Sequence, residues 1–569
     1  VKSEIIDPEH RQHGLKTRVT GDAWVAFGIG ILTFLVFSGV LSHALLDAWD
    51  DNIAITENPD YNPPTLAKLV HYWVPPPRDE FFVPVMYTLW GLVAMGARSP
   101  AGVLNQAAFH ALNLVGHSLA SALAFLVLRR LNVRTWTAAG AALVFALHPI
   151  QTEAVAWASS AYTPISGMLG LLAVWQFLEY SDARDPGHRK AARGHYAAAL
   201  VAFVIAMLTK PAAVSVPLIT GAIEVGVRGK RLSKVVLPLG VWELVSVPIV
   251  IATRHGTPGA TVGQFDRWQK LIVALDAVAF YLFKIVLPFK LSPDYGRSPG
   301  WVLVHPGIWA AALVPVALFV VVWVMRRRAA WLAGAGAVFI LGLLPTLGLA
   351  PFNFQTFSTV ADRYAYLAMF GVAIATGMAL ERVRAKRVAA VVVTVIILGL
   401  AALSVRQMTH WRNGWTLFDY TLKTNPQSRI VGAQMRFMLT PENEARCDLP
   451  SGEISRIADR LMGQKRSNLA APVYRMALDR GDVNPSTWHG LALAYIESEE
   501  PARAVAVLDK ALGRNPRDAE AHALKGVVLS RTDVEGAAVE YREALVIDPH
   551  NETVRRGILL LRPATRPGQ

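Results

Sequence analysis

Long apolar runs separated by short polar stretches dominate the first 405 positions. They lie near 22–45, 108–128, 133–149, 161–180, 195–210, 212–227, 234–253, 304–325, 329–350, 364–381 and 387–405. A helix needs about 17–25 residues to cross the ~30 Å hydrocarbon core, so the pattern predicts a polytopic bundle of about eleven spans. A further run, 270–289, fits either a span or a helix lying at the surface. The first 20 residues are polar and the first apolar run is of spanning length, so no cleavable leader is expected.

Charge resolves the ambiguous run. Lys and Arg gather in the short links RRLNVR (129–134), RKAARGH (189–195), VRGKRLSK (227–234), RRR (326–328) and ERVRAKR (381–387). Basic links face the cytoplasm. With the N-terminus inside, all five fall there only if 270–289 does not cross, which makes it an interfacial or re-entrant helix on the outer side. The net charge of +14 is therefore read as a topology signal, not as a nucleic-acid surface. With 53% hydrophobic and 17% charged residues, the chain is too apolar for a soluble protein of this length.

The expected organisation is a cytoplasmic segment 1–21, a transmembrane domain 22–405 with a long outer loop at 46–107, a linker and irregular helical segment 406–467, and a repeat domain 468–569. The outer loop holds NPDYNPPTLAKLVHYWVPPPRDEFF, where prolines bracket a short amphipathic segment. Two readings of it stay open, a loop resting on the membrane and half of an outer active site. In the repeat domain Ala504, Ala511, Leu512 and Pro516 recur as Ala537, Ala544, Leu545 and Pro549. Trp488, Leu491, Ala494 and Tyr495 share a helical face, with Ala492 at the small packing position. This pattern resembles tetratricopeptide repeats, an α-solenoid that offers a concave face to polypeptides. Cys447 is the single cysteine, which leaves no partner in this chain for a disulfide and no Cys-rich metal site.

Seven phrases in series carry a wider resemblance: WDDNIAITENPD (49–60), FHALNLVGHSLASALAFLVLRRL (109–131), HPIQTEAVAW (148–157), LTKPAAVSVPL (208–218), LPFKLSPDY (287–295), ADRYAYL (361–367) and WRNGWTLFDYTLKTNP (411–426). Together with the repeats they resemble the transmembrane and tetratricopeptide-repeat O-mannosyltransferases and their bacterial relatives, in the GT-C superfamily. The resemblance implies an all-α, GT-C-like bundle. It also implies transfer of a sugar from a polyprenyl-phosphate carrier to a protein hydroxyl on the outer side, the repeats binding the acceptor.

Such a transfer needs a carboxylate to take the proton of the attacking hydroxyl and cations to steady the departing phosphate. The family's acidic pair matches Asp50 and Asp51, with Asp51 placed just ahead as the base. Repulsion between the two is expected to raise one pKa. Arg363 and Lys210 are the expected phosphate ligands. Glu153 and His148 are expected to line the same site, and Asp294 and Tyr295 are weaker candidates for acceptor or sugar contact. No metal and no cofactor are expected beyond the donor lipid, and no nucleic-acid partner.

Two cations of the family pattern are missing. Phe82-Val83-Pro84-Val85 stands where Tyr-Arg-Pro-Leu is common, and Ser160-Ala161-Tyr162-Thr163 replaces a Ser-Gly-Arg-like phrase. They motivate a rival reading, a catalytically degenerate scaffold subunit whose repeats bind a periplasmic partner. The compact loops and Arg/Ala-rich composition point to a bacterial inner membrane with the repeat domain in the periplasm.

Overall fold

The computed structural model describes residues 8–74, 81–99, 102–184, 189–256 and 265–561. Parts of the expected N-terminal segment (1–7), of the loop 46–107 (75–80, 100–101) and of the outer loop after 253 (257–264) lie outside these. The described chain is helical, with isolated bridges but no strand. It divides into two compact units, Val1–Gly414 and Trp415–Gln569.

Among the described residues of the first unit, seven helices are long and apolar enough to span a membrane: Gly21–Ser42, Gln106–Arg130, Ala158–Asp182, Arg189–Thr209, Val236–Arg254, Gly307–Met325 and Lys386–Thr409. The protein is an integral membrane protein. Four other expected spans form shorter helices. Thr135–Leu147, Pro211–Val227 and Ala330–Thr346 are 10–17 residues long, and Ala368–Arg382 has 15. Thirteen residues rise only about 20 Å. Punctuation in the chain sets these lengths: Pro149 follows the first, Pro211 opens the second, Pro345 ends the third, and an irregular turn at Asp362–Ala365 precedes the last. The ambiguous run forms Arg267–Val286, begun by a capping box between Asp266 and Gln269. It buries Val273, Ala277, Tyr281 and Lys284 along one side and exposes Trp268, Leu271, Phe283 and Val286, as a helix between two media does.

Close approach of small residues holds the bundle together. A Cβ on Gly334 would lie 2.8 Å from the Gly226 carbonyl carbon and 2.9 Å from the Val227 nitrogen, and one on Gly342 would lie 2.6 Å from the Ala368 backbone. Without a hydrophobic drive between helices in lipid, such contacts supply much of the association. Gly334→Ala should therefore destabilise the bundle by about 1–3 kcal/mol, read as a lower unfolding midpoint in detergent.

Buried polar groups place the loop 148–160. Asn113 Nδ2 donates to the carbonyls of Ala154 (3.0 Å) and Trp157 (2.6 Å). His117 pairs with the Tyr366 hydroxyl and the Ala146 carbonyl, each at 2.8 Å. The loop 148–160 is thus sewn to Gln106–Arg130 from below.

The second unit is a stack of antiparallel helix pairs: Ser451–Gly463 with Ser467–Asp479, Pro485–Glu497 with Pro501–Arg514, and Ala519–Leu529 with Val534–Ile547, followed by Glu552–Leu561. The recurring alanines Ala504, Ala511, Ala537 and Ala544 are all buried. Tyr474 packs on Gly490, where a Cβ would stand 2.5 Å from the ring, and Tyr541 packs on Gly526 and Gly557. Asp419 receives Arg460 (2.8 Å) and Lys423 reaches Glu453 (3.0 Å), fixing Gly414–Thr424 to the first pair. Cys447 is buried, and Arg480 closes over it by donating to its carbonyl at 2.6 Å.

Candidate active site

Three loops of the first unit are cross-linked through buried carboxylates. The chain leaves the span Gly21–Ser42, makes a tight turn at Asp47–Trp49, and reaches Asp50 with φ +91°. This left-handed conformation costs a non-glycine residue about 1–2 kcal/mol. It also parts the two acids. Asp51 is wholly buried, while Asp50 is exposed.

Asp51 is fully engaged. Its Oδ2 accepts from the Leu46 nitrogen at 2.7 Å, and its Oδ1 accepts from the Ser159 nitrogen at 2.9 Å and from the Ser159 hydroxyl. One carboxylate therefore clamps the loop that follows Gly21–Ser42 to the loop 148–160. Burial pushes its pKa up to about 7, against the pull of these donors.

Asp50 has the opposite setting. Its side chain is open to solvent but flanked by protein, the condition of a group in a recess. Burial raises its pKa to about 6, and the charge of Arg363 pulls it down. Repulsion from Asp51, expected from the sequence, is not among the causes. Desolvation does the work because the left-handed turn sends the two carboxylates to different surroundings.

Arg363 is anchored from behind by Glu153. Its guanidinium bonds Glu153 Oε1 and its backbone nitrogen donates to Oε2 at 3.0 Å, with both side chains buried. The guanidinium carbon lies 4.4 Å from the Phe354 ring centre, 4.8 Å from Tyr364 and 5.3 Å from Trp157. Lys210, just past the end of Arg189–Thr209, donates to the Thr163 hydroxyl at 2.9 Å and lies 5.0 Å over the Tyr162 ring. Burial, with repulsion from Arg363, lowers its pKa to about 7.

Asp50, Glu153, Lys210 and Arg363 thus share one electrostatic neighbourhood, and Tyr162 feels the charges of Arg363, Asp50 and Glu153. Their formal charges cancel, but Arg363 is already matched by Glu153. Lys210 is therefore the better placed of the two cations for an incoming anion. It also answers the cation missing from Ser160-Ala161-Tyr162-Thr163: Ala161 is buried, and the ammonium over Tyr162 arrives from another segment. Val83, at the other missing cation, is half-buried against an apolar cluster that includes Tyr61 and Trp90.

The remaining predicted residues stand behind this group. His148 uses both ring nitrogens on backbone, one with the Ile285 carbonyl at 3.0 Å and one accepting from Ile150 at 3.2 Å. Burial lowers its pKa to about 4. It is a cap and a brace. Asp294 is buried and accepts from the Gly296 nitrogen at 2.8 Å, closing its own turn. Tyr295 donates to Asp362 at 2.7 Å and accepts from the Ser292 nitrogen at 2.9 Å. Burial, together with the negative charge of Glu153, holds Asp362 well above the usual carboxylate range. Among the described residues no group of three or more His, Cys, Asp or Glu is placed to hold a metal ion.

Sequence reasoning missed Ser159, Tyr162, Thr163 and Tyr364. The phrase after HPIQTEAVAW, where a cation is lacking, hinted at the first three, and Tyr364 stood within ADRYAYL.

Comparison with known proteins begins with the second unit, where residues 461–527 match the tetratricopeptide repeat family model. These are tetratricopeptide repeats. The chain is also similar to Protein O-mannosyl-transferase Tmtc2 of Drosophila melanogaster, 28% identical over 204 residues. That match covers 33% of this chain and 21% of the fly protein. The resemblance to repeat-bearing O-mannosyltransferases is thus present in sequence, over a minor part of the relative's length. Among solved structures, ArnT from Cupriavidus metallidurans bound to undecaprenyl phosphate matches with 15% identity and a TM-score of 0.33, over 88% of this chain and 81% of that one.

Proposed function

We propose that the protein is a GT-C-type glycosyltransferase that moves a sugar from a polyprenyl-phosphate carrier to a protein hydroxyl on the outer side of the membrane. The observation that carries this reading is Asp50, an exposed carboxylate with a raised pKa in the field of Arg363, whose charge also acts on Lys210. An acceptor hydroxyl attacks the anomeric carbon as its proton passes to an Asp50 oxygen. The bond from that carbon to the phosphate oxygen breaks, and the electron pair leaves with the phosphate. Lys210, and behind it Arg363, hold the negative charge that develops. Attack opposite the leaving group inverts the anomeric centre.

The second acid is assigned a positioning role. Asp51 fixes the turn that presents Asp50, which reverses their expected order. The repeats supply a surface for the acceptor polypeptide. In this reading the N-terminus is cytoplasmic, the repeats are periplasmic, and the membrane is a bacterial inner membrane.

The test is reconstitution in liposomes with polyprenyl-phosphate hexoses and Ser/Thr-rich peptides, with free polyprenyl phosphate as the readout. Release that depends on peptide supports transfer. If no hexose donor is consumed, the scaffold reading takes its place.

The two shifted groups predict the pH profile. Below about 6 Asp50 is protonated and cannot accept a proton. Above about 7 Lys210 loses the charge that attracts phosphate. Because kcat/KM reports groups of the free enzyme, it should follow a narrow bell between these limbs. A bound phosphate holds Lys210 charged, so kcat should keep the acid limb and lose the alkaline one. Lys210→Arg should carry the alkaline limb of kcat/KM out of range, since arginine stays protonated. An unmoved alkaline limb in this variant would remove Lys210 from the donor site.

A further inference from the structure

The first outer loop carries a surface that the transfer chemistry does not use. Thr65 caps a helical turn, Leu66–Val70, which tightens into His71–Trp73. Leu66, Val70, Trp73 and Val74 recur at i, i+4, i+7 and i+8, so they share one face. All four are exposed, at 67%, 66%, 50% and 64%. Leu69 and Tyr72, on the other side, are buried.

Lys68 and Tyr72 of the same segment turn their polar groups back onto the loop, while His71 stays half exposed. Lys68 Nζ donates to the carbonyls of Pro59 (2.8 Å) and Pro63 (3.1 Å). The Tyr72 hydroxyl donates to Asp60 at 2.6 Å, and His71 lies 3.4 Å from the same carboxylate. Among the described residues of the segment, what faces outward is this apolar stripe together with the half-exposed His71.

The stripe is held to the membrane-embedded part of the molecule. Tyr72 stacks on Tyr87 at 4.4 Å, and Trp73 Nε1 donates to the Thr88 hydroxyl at 3.0 Å. Both partners belong to the apolar helix Pro84–Gly96, which packs in turn on the span Arg189–Thr209. Phe81, at the entry to that helix, is exposed too. A single apolar helix therefore joins the stripe to a wall of the bundle that stands in lipid.

We propose that Leu66, Val70, Trp73 and Val74 lie in the bilayer interface on the side of Asp50, and that lipid acyl chains cover them. The segment is an interfacial anchor of the loop that carries Asp50. Its partner is the boundary between headgroups and acyl chains, where a short amphipathic helix sinks its apolar side and tryptophan is favoured. The proposal rests on the membrane character of the chain and stands whether or not the protein transfers sugar.

The experiment uses the full chain with Cys447→Ser, carrying Leu66→Cys or Val70→Cys labelled with an environment-sensitive fluorophore, in phosphatidylcholine nanodiscs. Lys510→Cys, exposed on a repeat helix, is the aqueous reference. The stripe labels should emit to the blue of the reference, be quenched by nitroxides on the upper acyl chain, and resist aqueous iodide. Quenching by iodide and not by the lipid nitroxide would overturn the proposal. So would blue-shifted emission that neither agent quenches, since protein would then cover the face. Leu66 and Val70 are mostly exposed, so their substitution disturbs little; if either variant fails to insert, Val74→Cys reports on the same stripe.

Discussion

Asp50→Asn is expected to lower transfer by about 10²–10⁴-fold, the usual contribution of a general base, while the protein remains at least as stable as the wild type. Asparagine keeps the shape and cannot take the proton. It also accepts the left-handed backbone of position 50 more readily than most side chains, and it removes a partly desolvated charge. Loss of activity with unchanged donor binding and an unchanged or higher unfolding midpoint would assign the chemistry to this side chain. Asp51→Asn should behave differently. Its amide would turn an N–H donor toward the Leu46 nitrogen or toward the Ser159 pair, each of which already donates to it. An unsatisfied buried donor costs about 1–3 kcal/mol, so this variant should lose stability and activity together. If Asp50→Asn retains transfer and Asp51→Asn loses it at full stability, the two roles are reversed.

The largest stability effect is expected at the ion pair beneath the site. Arg363→Met would leave Glu153 buried without its partner, and breaking such a pair costs about 3–5 kcal/mol. The double variant Glu153→Gln with Arg363→Met should recover much of that loss, because it removes the stranded charge as well. Thermal unfolding of the four proteins in detergent closes the cycle. Equal losses in the single and double variants would mean that the pair contributes through packing against Phe354, Tyr364 and Trp157 and not through charge. Neither variant is expected to transfer sugar.

Much of the architecture was legible because its causes are periodic. Apolar length marks the spans and the repeat spacing marks the solenoid. Span number was less legible, because helix length here is set by Pro149, Pro211 and Pro345, and a hydropathy pattern runs straight through them. At the site, the neighbourhood of Asp50, Glu153, Lys210 and Arg363 could be guessed from phrases in series. The division of labour between Asp50 and Asp51 could not. It depends on one backbone dihedral and on Ser159, more than a hundred residues away in sequence. Lys210 standing over Tyr162 was equally hidden, since the sequence shows a missing cation at one place and not its replacement from another.

Cys447 has a use beyond its lack of a disulfide partner. Its thiol is buried, burial raises its pKa, and Arg480 lies across its backbone. A maleimide can therefore reach it only when the segment that leads into the repeats opens from the helix Ser467–Asp479. In the unaltered protein its labelling rate is a clock for that opening, in the same way that amide exchange reports local unfolding. An acceptor polypeptide that steadies the repeats would slow the clock, so the lone thiol offers a binding assay that needs no knowledge of the sugar.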